Sequence, residues 1–145
     1  MKKVFNDKPL CEVTLRRFEK PGDENLKELC RKFLISIGLL QTGDGRDIIS
    51  EIFYSFVACA KNNEYLPIDL IIRKFNDLDG GTPNNIRRHI LRLKEYGLIE
   101  RTDYGYRLTE FMGLKELFKQ GIIKEFVEPS VNRIIEYCEK IDGIK

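Results

Sequence analysis

The stretch TPNNIRRHILRLKEYGLIERTDYGYRLTE, residues 82–110, decides how the rest of the chain is read. Thr82 suits a helix N-cap, and Pro83 suits the first helical position because it has no N–H to leave unpaired. The spacing predicts a helix over 83–96, with Ile86, Ile90 and Leu93 on its inner face and Gly97 as its stop. Two short strands follow, 98–102 and 106–108, joined by the turn Asp103-Tyr104-Gly105.

Just upstream, residues 47–60 carry Ile48, Ile49, Ile52, Phe53, Phe56, Val57 and Ala60. A stripe this wide belongs to a helix at the centre of the core or in a dimer interface. Asn62-Asn63 ends it. Tyr65-Leu66 fits a one-bridge strand, and Pro67 the first position of a short helix that uses Ile68, Ile71, Ile72, Phe75 and Leu78. Asp79-Gly80-Gly81 closes that helix in a tight turn before Thr82.

Farther out, the alternation over 11–15 predicts a short strand, and Asp23 an N-cap for a helix with Leu26, Leu29, Cys30, Phe33 and Ile37 inward. The segment 41–46, QTGDGR, has two glycines but neither the GK[ST] ending nor the preceding strand of a phosphate-binding loop, so it reads as a turn. Beyond the hairpin, 111–119 predicts a short helix ending near Gly121. Pro129-Ser130 opens a last helix with Val131, Ile134, Ile135, Cys138 and Ile141 on one face.

Helices joined by short turns and then a hairpin resemble the winged helix-turn-helix superfamily. The likeness lies in the third helix, the GLI exit at 97–99, the wing and the YRLT return at 106–109. It covers roughly residues 46–110, and the whole chain is also similar to an archaeal winged-helix family, a likeness that adds fold and not function. The resemblance implies a mainly α fold with a small β-hairpin wing. It implies a winged domain over 46–110, with an N-terminal extension of strand and helix over 1–45 and C-terminal helices, available for dimerisation, over 111–145. It also implies double-stranded DNA as partner, with the third helix in the major groove and the wing on the backbone or in the minor groove.

The residue chemistry agrees. Opposite the isoleucines lie Asn84, Arg88, Leu91 and Glu95, with Arg87 and Arg92 flanking and Asn85 beside Arg92. A guanidinium matches the guanine O6/N7 edge and an amide the adenine N6/N7 edge, and both types stand on the first two turns, where base contacts fall. Arg92 and Lys94 come later and suit phosphates. The plain alternative is a solvated face. It explains Arg87 and Arg88 less well, because the dipole disfavours cations near a helix start. Asn84 and Asn85 equally suit capping. Leu91 fits either a thymine methyl or another chain, and His89 borders the apolar stripe as a part-buried packing residue. On the wing, Arg101, Tyr104 and Arg107 complete the DNA-binding set, with Asp103 opposing it at the tip; Tyr106 is expected to pack inward.

Composition bounds the alternatives. The chain has 145 residues, 42% hydrophobic and 33% charged, with no apolar run of the ~20 residues that span a bilayer. With no apolar stretch behind its basic start, a cytoplasmic protein is expected. The net charge of +2 makes a local basic face, rather than the total, carry any nucleic-acid argument. Cys30, Cys59 and Cys138 sit among apolar residues and are read as buried hydrophobes; with Cys11 distant and one histidine in the chain, no metal site is expected. No cofactor, small-molecule ligand or membrane partner is inferred, and no enzyme, since a His-paired nucleophile and a glycine-rich cofactor motif are both missing. The expectation is a sequence-specific DNA-binding protein, a transcriptional regulator acting as a homodimer. The apolar faces over 26–37 and 131–141 either complete the core or pair two chains. The alternative is a winged-helix scaffold for protein–protein interaction without DNA readout.

Overall fold

The computed structural model describes residues 7–41 and 48–145, and these form a mainly helical body with one two-stranded antiparallel hairpin. Residues 41–46 therefore lie, all but Gln41, outside the described residues, as does the basic start.

Helix α1, Leu26–Ser36, is capped by Asn25, whose side-chain oxygen accepts the Glu28 N–H at 2.9 Å. The cap is two residues later than the Asp23 expected from sequence; Asn does the same chemistry, and Asp23 is left in the approach. The alternation over 11–15 does not become a strand. The segment joins no ladder among the described residues and is held instead by Arg16. The Arg16 N–H donates to Ser36 O at 2.8 Å, and its guanidinium donates to Ile35 O at 2.8 Å and Leu40 O at 3.2 Å. Ile35 and Ser36 are in the last turn of α1, where carbonyls lack their full helical partners, and Leu40 lies in the chain beyond it.

Helix α2, Ile48–Ala60, is the centre of the core: Ile52 and Phe53 are wholly enclosed, and Ile48, Ile49, Phe56 and Val57 are buried around them. Buried Ser55 is satisfied, donating to Glu51 O and accepting from Lys74 Nζ at 3.0 Å. α1 contributes Cys30, Leu34 and Ile35 to the same core, and Phe33 stacks on Phe53 with ring centres 5.6 Å apart.

Helix α3, Ile68–Phe75, is shorter than its apolar pattern suggested. Pro67 is its N-cap, and Leu78 lies in the turn beyond, half exposed. At Gly81 a Cβ would stand 1.9 Å from the Phe75 carbonyl oxygen, so the chain folds back this sharply only with glycine there. Helix α4, Pro83–Glu95, then starts as expected: Thr82 Oγ1 accepts the Asn85 N–H, Pro83 opens the first turn, and Ile86, Ile90 and Leu93 are buried. Gly97, at φ +75°, ends it.

Strands β1, Ile99–Thr102, and β2, Gly105–Leu108, pair with Ile99 opposite Leu108 and Glu100 opposite Arg107. Leu66 bridges Tyr106 through two hydrogen bonds of 2.8 Å, the expected one-bridge strand. Gly105, at φ +123°, makes that approach possible, since a Cβ there would lie 2.8 Å from Pro67 N and 2.9 Å from the Leu66 carbonyl.

The carboxyl end differs most from expectation. Instead of two helices broken near Gly121, α5 (Leu114–Leu117), a π-helix (Phe118–Val127) and α6 (Glu128–Gly143) follow without interruption. Phe111 belongs to the preceding 3-10 turn, Thr109–Phe111, and Gly121 lies inside the π-helix. Leu117 and Ile122 are buried in the body, which anchors the start of this run. Pro129 stands in the first turn of α6, as its missing N–H requires. No described helix is long and apolar enough to cross a membrane.

Candidate nucleic-acid interface

With its isoleucines against α2, α4 turns Asn84, Arg87, Arg88, Leu91, Lys94 and Glu95 to the exterior. Arg87, Arg88 and Lys94 are exposed and, among the described residues, make no hydrogen bond or ion pair. Three cations on one helix face, with Glu95 alone against them, are what a phosphate-lined groove attracts. Asn84 is exposed between the cap and Arg88; Asn85 is half-buried, its backbone N–H already used by the Thr82 cap. Leu91 is 52% exposed in the middle of the face.

Two arginines of the expected set are drawn inward. Arg92 is half-buried, and its guanidinium donates to the Leu39 carbonyl oxygen at 3.1 Å. It therefore ties α4 to the chain leaving α1. Arg107 is held more tightly still. Its Nε lies 2.7 Å from Glu100 Oε2, and its guanidinium sits 4.8 Å from the Phe111 ring centre and 5.5 Å from that of Tyr65. The same Glu100 oxygen accepts the Glu110 N–H at 3.0 Å. A paired guanidinium stacked between rings keeps the base of the hairpin rigid and has little charge left for DNA. The pairing was readable in principle: a hairpin turned at 103–104 puts residue 100 opposite residue 107.

Arg101 and Tyr104 remain outward. Arg101 is exposed on β1 without a hydrogen bond or ion pair among the described residues. Tyr104 is 74% exposed at the tip, its ring 5.4 Å from that of Tyr65. Tyr65, which sequence patterning placed only in a bridge strand, lies against the hairpin, its ring beside those of Tyr104 and Phe111. Tyr106 packs inward as expected.

His89 lies beside Arg88 and Arg92 at the rim of a hollow of about 530 Å³ that Asn85, Gln41 and Leu39 also line. Its Nδ1 is enclosed without a hydrogen-bond partner among the described residues. Burial, then the positive charges of Arg92 and Arg88, push its pKa below the usual 6.5, so it is a neutral packing residue on a basic helix. Among the cysteines, burial raises the Cys30 thiol to about 11 and that of Cys59 in the same direction, which makes both poor nucleophiles. Cys138, expected inside, is exposed, because the helix that bears it leaves the body.

Comparison of the chain with protein-family models, curated proteins and solved structures gives no match.

Proposed function

We propose that this protein binds double-stranded DNA in a sequence-specific way and regulates transcription, with α4 in the major groove and the β1–β2 hairpin on the backbone or in the minor groove as a wing. The order of α2, α3, tight turn, α4 and hairpin is compatible with a winged helix. The observation that carries the reading is the pair Arg87 and Arg88, exposed and, among the described residues, unpaired on the early turns of α4. At about 1.5 Å per residue α4 is roughly 20 Å long, and a helix fits a groove about 12 Å wide. The contact set is then Asn84, Arg87 and Arg88 toward bases, and Lys94 and Arg101 toward phosphates, with Tyr104 at the wing tip. Arg92 and Arg107 act behind this surface, fixing α4 and the wing in place.

The test is a mobility-shift titration of Arg87→Ala/Arg88→Ala against the unaltered chain at two salt concentrations. Removal of both base-reading groups is expected to weaken binding by about 1–3 kcal/mol for each and to relax sequence preference, with the salt slope changed less than by loss of Lys94 or Arg101. An unchanged affinity with an unchanged slope removes α4 as the reading helix.

Exposed Leu91 favours a second reading, a scaffold that docks another protein on the same face. Retention on heparin separates the two, since a pure scaffold passes through.

A further inference from the structure

From Val131 onward every residue of α6 is exposed, yet the helix is strongly two-sided. Val131, Ile134, Cys138 and Ile141 recur at alternating steps of three and four, the a and d positions of a heptad, with Ile135 and Tyr137 flanking them. Ile134, Tyr137 and Ile141 are each about two-thirds exposed. On the far side, Arg133 and Glu136 close an ion pair of 2.6 Å within the helix. An amphipathic helix whose apolar face is largely exposed to water offers half of an interface.

We propose that α6 pairs with α6 of a second copy of this chain, apolar stripe to apolar stripe. Three observations select a second copy over other occupants. A heptad seam is complementary to itself, since a and d side chains fit the holes between the same side chains of a like helix. The charges of α6 are of both signs, with Arg133 and Lys140 against Glu128, Glu136, Glu139 and Asp142. A second copy therefore offers an acid to each of the two bases, whereas an anionic lipid surface would meet more acid than base. Finally, each bare apolar side chain holds on the order of 100 Å². Mating the two stripes then removes on the order of 1,000 Å², where specific interfaces begin. The inference stands apart from the DNA reading, and its test contains no DNA.

The full chain is followed by sedimentation from low to high micromolar concentration. The expected mass is twice the 17.0 kDa of one chain. The double variant Ile134→Asp/Ile141→Asp is expected to sediment at one chain's mass, its dissociation constant raised about a hundredfold or more, with helical circular dichroism retained. Ile134→Leu/Ile141→Leu is expected to stay dimeric. Amide exchange on the unaltered chain needs no variant: protection over 131–141 is expected to rise with concentration. A single-chain mass at every concentration, a dimer that survives both aspartates, or protection independent of concentration overturns the proposal.

Discussion

Helices α4 and α6 are built on one plan and end in opposite circumstances. Each carries apolar residues at steps of three and four and a charged opposite face. In α4 the apolar side is covered: Ile86 and Leu93 are wholly enclosed against the body, and the charged side meets water. In α6 the apolar side itself meets water, with Ile141 67% exposed. Periodicity announces that a helix has two sides, and only the rest of the chain decides whether the apolar one finds a cover. Where the cover is internal, the polar side is the one left in water; where it is not, the apolar side is left there too.

The sharpest way to break this contrast is truncation on each helix. Leu93→Ala is expected to cost about 3–4 kcal/mol in chemical denaturation, for the removal of a fully enclosed leucine plus the cavity it leaves. Ile141→Ala, measured dilute, is expected to change stability by less than about 0.5 kcal/mol. Similar costs at both sites would mean that α6 is covered within its own chain.

A second, smaller effect concerns how α4 is aimed. Gly81→Ala puts a methyl group onto the Phe75 carbonyl and is expected to cost about 2 kcal/mol by thermal unfolding, since the turn must open. A stability equal to that of the unaltered chain would mean that this turn does not set the helix.

Within α4 the two kinds of arginine separate next. Arg92→Ala removes the tether to Leu39 and is expected to cost about 1 kcal/mol. Arg87→Ala is expected to cost under about 0.5 kcal/mol while weakening DNA binding. Equal decreases in stability would place Arg87 in the framework with Arg92.

The smallest effect is on pH dependence. Because the folded chain holds His89 below 6.5, the unfolded chain binds its proton first. The contribution is fully present above pH 6.5 and is lost as pH falls through the folded value. His89→Gln is expected to flatten stability against pH in that window, as read by denaturation at several pH values. A slope that the substitution leaves intact would assign the titration to other groups.

Much of the fold was legible in the residues. The Thr82 cap, Pro83, the buried Ile86, Ile90 and Leu93, the Gly97 stop and the hairpin all stand where local chemistry puts them. These features need only a few neighbouring residues to specify them, as does the central place of α2. The failures share a cause. The segment 11–15 alternates like a strand but has no partner edge, so Arg16 satisfies carbonyls of α1 instead. Gly121 and Pro129 look like breaks, but the run passes through both, because a π-helix and a first-turn proline accommodate them. At the candidate interface, helical spacing located the outward face correctly. It could not show that Arg92 bends back to Leu39, which depends on what stands across a long gap in sequence, whereas the Arg107–Glu100 pair follows from the hairpin register rather than from helical spacing.

The seam between Gly105 and residues 66–67 is made of main chain on both sides. The tilt of the hairpin is thus written in peptide groups, which every amino acid except proline supplies alike, and in one position that tolerates no Cβ. Asp103 and Tyr104 take no share in that seat and are exposed. Replacing them alters the chemistry shown at the tip while the main-chain seam stays in place, so that corner can change without rebuilding the architecture beneath it.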